Sequence, residues 1–411
     1  MEKSLLAGFH LGVGGNPTGI GDLYYKKLAT RNIPFVIMSA DNFPAEAQAL
    51  ARQNPGVRNF VGYRRSTAKP DAGGPAVPPS GDPNVPRPGI PARLASDEHW
   101  TWHTAPHILP PEYDGRFTYL LTINEPNKDD DAYVEWLADV EYYNCLKALA
   151  VNMRYAVFGW AGGNPEPRHW QGVNMKRLLD LMEQHPDRLA VAVHEYSWVT
   201  DSIWAGSENG SYSRVGRAHE LLLRQRPNLP LVITEFGWAE RDAPGDVARA
   251  IREVREVGAL YAIYANYLGA ALWYLGPGYG NIHNIVNRYI GPLADETIAH
   301  PLEVDTPPDP PLPDPAGPVL GADVSHHQGR IDFQAMADAG ARYVFIKATE
   351  RGDWADPNFT RNWALAGSAH WVDRHDHVWP VLRGAYHFYR NHVDPIAQAT
   401  HFLDTVPSGD R

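Results

Sequence analysis

The sequence predicts an α/β fold in which parallel strands alternate with helices. Short, almost continuously apolar runs recur along the first three-quarters of the chain, and each is followed by a turn and a longer helical pattern. Strands buried on both faces look like this in parallel sheets, because helices cover both sides of the sheet. Eight such runs in about 275 residues match the strand number and length of a TIM (β/α)8 barrel. A proline-dense segment and a new apolar run follow, which indicates a second domain.

Each strand of the predicted barrel is a short, almost continuously apolar run. The eight runs are Leu5–Gly12, Phe35–Asp41, Asn59–Tyr63, Thr118–Asn124, Tyr155–Trp160, Leu189–Tyr196, Leu231–Phe236 and Ala270–Leu275. Asp131–Leu149 and Asp246–Leu268 are the clearest helices between them, and Asp246 is a candidate N-cap. The apolar stretch Gly258–Gly276 has the length of a membrane span, but a helix followed by a strand fits the repeating pattern better.

Three segments between the regular elements define the domain organisation. The loop GVGGNPTGIG after the first strand has neither glycine spacing of the phosphate-binding motifs, so we interpret it as the first βα loop. Pro70–Pro91 is predicted to be a surface excursion near the barrel mouth, and the acidic Pro301–Pro318 a semi-rigid spacer. The sequence therefore predicts a barrel over residues 1–300, a linker over 301–318 and a second domain over 319–411.

Composition excludes several classes of function. The net charge of -11 is spread along the chain, which argues against nucleic acid or an anionic membrane as the main partner. Cys145 is the single cysteine, so no intrachain disulfide or thiolate metal cluster can form. The first strand offers only His10 and no His-x-His pair, and His326-His327 lies in the second domain, so we expect no metal and no cofactor. The N-terminal segment has no apolar stretch of signal-peptide length, and the localisation stays open.

Two glutamates end strands of the predicted barrel. Glu125 follows the fourth strand and Glu235 ends the seventh, and the working residues of TIM barrels lie at these strand ends. A carboxyl pair in one mouth suits glycoside hydrolysis, because one group protonates the departing oxygen while the other attacks or stabilises the sugar centre. Glu195, between His194 and Tyr196 on the sixth strand, should point away from them because side chains alternate along a strand.

The strand ends resemble those of retaining glycoside hydrolases of clan A. The residues that carry this resemblance are TINEP, ITEFGW, the His-x-Tyr of the sixth strand and the tryptophan of the eighth. The resemblance implies that Glu125 is the acid/base, that Glu235 is the nucleophile and that Asn124 contacts the sugar 2-hydroxyl. Retention implies carboxyl groups about 5–5.5 Å apart.

The same resemblance suggests neighbours for the carboxyl pair. His194 and Tyr196 would form hydrogen bonds with the carboxyl pair, and Trp273 would form the floor of the sugar subsite. Clan A enzymes usually place an arginine near the nucleophile from the second strand, which here ends in Asp41; Arg64 or Arg65 is the candidate replacement. Four tryptophans at or near strand ends are further candidates for contacts with sugar faces: Trp160, Trp198, Trp238 and Trp273.

The second domain resembles the first half of a family 25 glycoside hydrolase, the lysozyme-type muramidases that cleave peptidoglycan. The segments DVSHHQG, FIKATE, RGAYHF and QA-x-HF carry the resemblance. It implies a partial (β/α) barrel-like domain, because the family's Asp-x-Glu pair with the catalytic acid lies beyond the matching residues. Its cleft positions are Asp323, Glu350, Tyr386 and His387. We expect a piece of a longer wall-lytic protein whose second domain is inactive by itself.

Three hypotheses for function remain. The first is a retaining glycosidase in the barrel, acting on a polysaccharide such as bacterial cell-wall glycan. The second is a peptidoglycan muramidase whose N-terminal barrel is a non-catalytic glycan-binding or targeting module. The third is a structural barrel in a larger assembly. The sugar, the linkage, the endo or exo mode, the export route and the oligomeric state remain open.

Overall fold

The computed structural model describes residues 5–12, 19–66, 78–127, 130–205, 215–300, 320–372 and 378–406. The chain divides into two compact units, Met1–Pro307 and Pro308–Arg411. The predicted linker over 301–318 lies outside the described residues, as do 13–18 of the first loop and 70–77 of the predicted excursion.

The first unit is a closed barrel of eight parallel strands, so the predicted fold class is confirmed. The strands follow one another around the barrel in chain order, and the first pairs with the eighth. Their bounds are β1 Ala7–Leu11, β2 Val36–Ala40, β3 Phe60–Arg64, β4 Tyr119–Leu121, β5 Arg154–Trp160, β6 Leu189–Tyr196, β7 Leu231–Gly237 and β8 Tyr267–Leu275.

Helices connect these strands. They are α1 Lys26–Ala29, α2 Ala45–Gln53, α3 Ala92–His103, α4 Asp131–Ala150, α5 Val173–Gln184, α6 Val247–Ala262, α7 Ile282–Asn287 and α8 Ile290–Ala299, with π-helical turns at Gly21–Tyr25 and His219–Leu223 and a 3-10 turn at Pro167–Gln171. The Asp246 side chain accepts hydrogen bonds from the N–H groups of Ala248 and Arg249, which confirms the predicted N-cap of α6. In the part of the chain that the structure describes, no helix combines the length and the apolar character of a membrane crossing.

The barrel has two separate apolar layers because side chains alternate along its strands. The inner layer is fully or almost fully buried and consists of Val36, Met38, Phe60, Tyr119, Leu121, Ala156, Ala190, Ala192, Val232, Leu268 and Ala271. The outer layer packs the strands against the helices. On β3 and β6 the inward positions continue beyond the inner layer to Arg64 and to His194 and Tyr196. These polar side chains therefore lie at the carboxyl end of the barrel interior.

The second unit is a small parallel sheet with helices, in agreement with the predicted partial domain. β10 (Ala341–Glu350) lies between β9 (Leu320–Val324) and β14 (Leu382–Phe388), and β11 (Trp354–Ala355) pairs antiparallel with β10. β12 (His370–Val372) and β13 (Val378–Pro380) form a separate antiparallel pair. The remaining elements are α9 Phe333–Asp338, α10 Phe359–Ser368, α11 Pro395–Thr405 and a 3-10 turn at His326–Gln328. Val344, Ile346 and Trp363 belong to its buried core.

Candidate active site

The backbone around Glu125 is fixed by two neighbouring segments. The Glu125 N–H donates to the Gly159 carbonyl at 2.9 Å, and the Asn124 N–H donates to the Asn84 carbonyl at 3.2 Å. Asn84 belongs to the described part of the predicted excursion, which therefore reaches the barrel mouth. Glu125 has a φ of +46°, a left-handed conformation that is uncommon outside glycine and that concentrates at functional sites.

A bulge in β7 turns the Glu235 side chain toward the barrel interior. Val193 of β6 pairs with Ile233, but the next residue, His194, pairs with Glu235, so Thr234 is an extra residue in β7. Aligned residues of parallel strands face the same side, and His194 faces inward. Glu235 therefore faces inward as well, which is how bulges re-aim side chains beside active sites.

His194 lies between the two carboxyl groups. Its Nδ1 atom is 2.9 Å from Glu125 Oε1 and 3.4 Å from Glu235 Oε2. The Tyr196 hydroxyl donates to the same Glu125 oxygen at 3.0 Å. One carboxyl oxygen from each glutamate and one nitrogen of His194 lie within 4.8 Å of one another. The structure thus brings together Glu125 from the segment after β4, His194 and Tyr196 from β6, and Glu235 from β7.

Arg64, the last residue of β3, contacts the other side of Glu235. Its Nη2 lies 3.2 Å from Glu235 Oε1, and its Nη1 donates to the Asn124 side-chain oxygen. Arg65, the alternative candidate, instead pairs with Asp41, with its Nε 3.5 Å from the carboxylate. The arginine that the resemblance led us to expect therefore comes from the third strand.

Opposing influences act on the Glu125 carboxyl. Burial is the largest and raises its pKa, but the hydrogen bond and electrostatic attraction of His194, the Tyr196 hydroxyl and the Arg64 charge outweigh burial. Together they lower the Glu125 pKa to about 2. Glu125 is therefore ionised at neutral pH in the unliganded site.

The carboxyl pair opens into a cavity of about 530 Å³ with aromatic walls. The predicted residues Asn124, Tyr196, Trp238 and Trp273 line it, together with Trp198, Tyr274 and Tyr279. The Trp273 indole N–H donates to the Glu240 carbonyl at 2.9 Å. Trp160 is fully buried against Phe158 and does not line this cavity, so its predicted place on the rim was wrong. The cavity suits a ligand with apolar faces and polar edges.

Two further site residues were not predicted as such. His10 on β1 is buried, its Nδ1 lies 2.8 Å from the Thr234 carbonyl, and its ring packs edge-on against Trp273. Tyr279 lines the cavity from the segment after β8. The position of His10 near the end of the first strand was an available signal, whereas nothing in the sequence around Tyr279 points to the mouth.

Glu195 has a structural environment, as its place in the alternation predicts. Its carboxylate accepts hydrogen bonds from the Tyr261 hydroxyl at 2.7 Å and from the N–H groups of Gly216 and Ala218 at 2.8 Å. It joins β6 to the segment that precedes the π-helical turn.

The Glu125, Glu235 and His194 side chains are also spaced as metal ligands could be. Arg64 places a positive charge 3.2 Å from Glu235, and this charge would repel a cation at the same position. The electrostatics of the described residues therefore favour a carboxyl pair that works without a metal.

The four candidate residues of the second unit lie in three different environments. Asp323 and Asp356 lie close enough to Tyr386 that their charges, together with burial as the larger cause, raise the pKa of its hydroxyl. Glu350 instead pairs with Lys347 at 2.5 Å and with Arg390 at 2.5 Å, and these hydrogen bonds lower its pKa to about 2.

His387 alternates with Tyr386 along β14 and contacts different neighbours. Its Nδ1 lies 2.8 Å from the Thr349 hydroxyl, and its Nε2 lies 3.0 Å from the Gln398 side chain of α11. The structure therefore groups Asp323 with Tyr386 but places His387 against a helix and Glu350 in an ion-pair cluster.

Comparisons with known proteins match the second unit to a family of glycoside hydrolases and relate the first unit to solved structures at low sequence identity. Residues 322–411 match the profile of glycosyl hydrolases family 25. The uncharacterized protein YegX of Escherichia coli K12 is 43% identical over 93 residues, 21% of this chain and 30% of that protein. Lysozyme M1 of Streptomyces globisporus is 33% identical over 131 residues, 31% of this chain and 37% of that protein.

The first unit resembles the catalytic domain of a GH26 endo-β-1,4-mannanase from Bacillus sp. JAMB-750. The identity is 12% and the TM-score 0.39, over 72% of this chain and 86% of that one. The chain spans about a third of the length of the curated relatives that its second unit matches. The predicted family 25 resemblance of that unit is confirmed.

Proposed function

We propose that the N-terminal barrel is a glycosidase that hydrolyses a polysaccharide, with bacterial cell-wall glycan as a candidate, by a retaining two-glutamate mechanism. One observation carries the proposal: carboxyl oxygens of Glu125 and Glu235 lie within 4.8 Å of each other, and both residues line the same aromatic cavity. Retaining enzymes space their carboxyl groups by about 5–5.5 Å, whereas inverting enzymes need about 6.5–9.5 Å to admit a water.

The surroundings of each glutamate support a different role. Arg64 places a positive charge 3.2 Å from Glu235, which attacks the anomeric carbon as the bond to the departing oxygen breaks. Glu125 donates a proton to that oxygen, then removes a proton from the water that cleaves the glycosyl-enzyme bond. The Asn124 side chain, fixed by Arg64, contacts the sugar 2-hydroxyl.

A proton donor with a pKa of about 2 in the empty site must take up its proton when substrate binds. The Glu125 side chain is 41% exposed, so a bound glycan would cover it and remove water from it. Loss of water disfavours the ionised form and raises the pKa. Substrate binding therefore drives Glu125 toward its protonated form.

The low pKa of unliganded Glu125 also favours a second candidate function. In it the barrel binds glycan without cleaving it, and the longer protein is a muramidase through its family 25 portion. This hypothesis needs the same aromatic cavity but no proton donor. The two candidates differ in whether the isolated chain turns over any glycoside.

The test measures hydrolysis of aryl-glycosides, plant and microbial polysaccharides and peptidoglycan by wild type and by Glu235→Gln. We expect the substitution to lower turnover by a factor of about 10³ or more, because it removes the nucleophile and keeps the shape. Glu240→Gln is the matched control, since Glu240 lines the same cavity but is not one of the pair. Equal turnover by wild type and Glu235→Gln would exclude catalysis by this pair.

The stereochemical course tests the retaining mechanism separately. Proton NMR during early hydrolysis should show the product with the anomeric configuration of the substrate. A product that first appears with the opposite configuration would leave a glycosidase but overturn the double-displacement mechanism.

A further inference from the structure

The aromatic wall of the cavity comes from two separate loops. Trp198 follows β6 and is 57% exposed, whereas Trp238 follows β7 and is 2% exposed, and both line the cavity. Loops vary more in position than the strands that carry them. Stable contact of a glycan with the exposed Trp198 ring therefore requires a structure that fixes its loop relative to the Trp238 segment.

One carboxylate on α6 contacts both loops. Glu253 Oε2 accepts the Trp238 indole N–H at 2.6 Å and the Ile203 backbone N–H at 3.1 Å. Ile203 belongs to the loop that carries Trp198. Both donors are on buried residues, so losing their acceptor would leave unsatisfied N–H groups in the interior. The first contact is short and charge-assisted, which is typical of strong hydrogen bonds.

Arg249, one turn earlier on α6, adds further hydrogen bonds between α6 and the Trp198 loop. Its Nε donates to Glu253 Oε1 at 2.7 Å, and its Nη2 donates to the carbonyls of Thr200, at 3.2 Å, and Asp201. At the start of the loop, the Ser197 N–H donates to the Gly237 carbonyl at 3.2 Å. The Trp198 loop is thus joined to the Trp238 segment directly at Ser197 and through α6 at Thr200, Asp201 and Ile203.

We infer that Glu253 is a positioning residue that fixes the exposed Trp198 loop against the buried Trp238 segment, so that Trp198 forms a fixed binding surface for an extended oligosaccharide. The inference rests on the proposed function and narrows the substrate class to glycans long enough to reach Trp198 from the carboxyl pair. Glu253 itself does not line the cavity, so it acts through the residues that it orients.

Glu256 provides a matched control on the same helix. Its carboxylate also accepts a tryptophan indole N–H, that of Trp204, at 3.2 Å. Trp204 does not line the cavity. Substitution of Glu256 therefore removes the same kind of hydrogen bond, from the same helix, without reaching the proposed binding surface.

The experiment uses the full chain with Glu253→Ala, Glu253→Gln and Glu256→Ala. KM and kcat are measured for a long oligosaccharide and for an aryl monosaccharide, and oligosaccharide binding is measured by calorimetry in the Glu235→Gln background. We expect Glu253→Ala to raise the oligosaccharide KM and Kd roughly tenfold, with kcat and the KM of the monosaccharide nearly unchanged. Glu253→Gln should lie between wild type and Glu253→Ala, because its amide oxygen still accepts from Trp238 and Ile203.

Several outcomes would overturn the inference. They are equal changes for long and short substrates, an equal effect of Glu256→Ala, or an unchanged oligosaccharide Kd in both Glu253 variants. If Glu253→Ala does not fold, the oligosaccharide KM and Kd of Glu253→Gln, compared with wild type, test the inference. If wild type binds oligosaccharide without hydrolysing anything, the catalytic proposal fails while the Kd still tests Glu253; if it neither binds nor hydrolyses, both fail.

Discussion

The Glu125 carboxyl combines partial burial with strong stabilisation of its charge. His194 and Tyr196 both contact Glu125 Oε1, at 2.9 and 3.0 Å, and this outweighs burial. A group whose pKa is lowered by hydrogen bonds to its ionised form regains a higher pKa when one of them is removed. The pH dependence of activity is therefore set by neighbours of Glu125 as well as by the carboxyl itself.

Tyr196→Phe should move the high-pH limb of the kcat profile to higher pH. The general acid must be protonated, so activity falls as pH rises through its pKa, and kcat reports the enzyme–substrate complex, in which Glu125 carries its proton. Losing one hydrogen bond to the carboxylate should move this limb by about one pH unit. The measurement is kcat against pH at saturating substrate for wild type and variant on one aryl-glycoside.

Tyr279→Phe is the control for this shift, since it removes a hydroxyl from the wall of the same cavity. It should leave the limb in place. A limb that stays fixed in Tyr196→Phe, or moves to lower pH, would show that Glu125 is not the group titrating there.

The contacts of Arg64 and Glu253 show which properties of single residues the sequence does not predict. Consecutive arginines end the third strand, and only the inward direction of Phe60 and Gly62 selects Arg64 over Arg65. Glu253 is one of two glutamates on α6, and its partners lie 15 and 50 positions away. Hydrogen bonds between distant segments leave no local pattern, so a residue of this kind was not predictable.

At the scale of elements, alternation along strands gives the correct direction for the Glu195 side chain and the wrong direction for the Glu235 side chain. Regular alternation from the inward Val232 places Thr234 inward and Glu235 outward, and the bulge at Thr234 reverses this. Strand ends were predictable because the carboxyl edge of a parallel barrel is fixed by topology. The bulge was not, because nothing in the sequence of the strand distinguishes an extra residue from a regular one.

Element boundaries show a similar limit. The predicted helix Asp246–Leu268 ends at Ala262, and β8 begins at Tyr267 rather than Ala270. The apolar run continues from the buried face of the helix into a strand buried on both faces. Hydrophobicity alone therefore does not locate the turn between them.

Helix α4 contains a buried carboxyl whose ionisation opposes folding. Glu141 accepts hydrogen bonds from Tyr155 at 2.7 Å, Asn144 at 2.9 Å and the Phe158 N–H at 3.1 Å. Burial nevertheless dominates and raises its pKa from the ordinary 4.5 to about 7. Between these two values the folded state keeps a proton that the unfolded state has lost, so stability falls as pH rises from 4.5 to 7.

Glu141→Gln should remove this decline, which is on the order of 3 kcal/mol for a shift of this size. The measurement is the difference between the free energies of unfolding of variant and wild type, from urea denaturation followed by circular dichroism between pH 4 and 8. Asp139→Asn, at a partly exposed position of α4, is the control, and its difference from wild type should stay flat between pH 4.5 and 7. The same flat difference in Glu141→Gln would mean that the pKa of Glu141 is the same in the folded and unfolded states.

At the scale of the whole molecule, the carboxyl pair belongs to the first unit and the family 25 resemblance to the second. Because the Glu125–Glu235 pair and the Asp323–Tyr386 group belong to different units, each can be substituted separately. The eightfold repeat made the barrel predictable from apolar runs alone, and the motifs of the second unit identified its family. Neither signal shows which unit catalyses a reaction.

Asp323→Asn and Tyr386→Phe in the second unit should leave hydrolysis by the full chain within about twofold of wild type. Glu235→Gln should abolish it, because the carboxyl groups that we propose to react lie in the barrel. The assay is turnover of the best aryl-glycoside, with peptidoglycan solubilisation measured in parallel. Loss of turnover in the second-unit variants, with Glu235→Gln fully active, would assign catalysis to the family 25 portion.

The open position of Trp198 on the cavity wall gives the protein an intrinsic optical reporter. An indole that is 57% exposed emits in a watery environment, and a sugar that covers it would exclude that water. Its fluorescence should then shift to shorter wavelength as the cavity fills, and Trp198→Phe should abolish the shift. Candidate glycans can therefore be screened by titration against unlabelled protein.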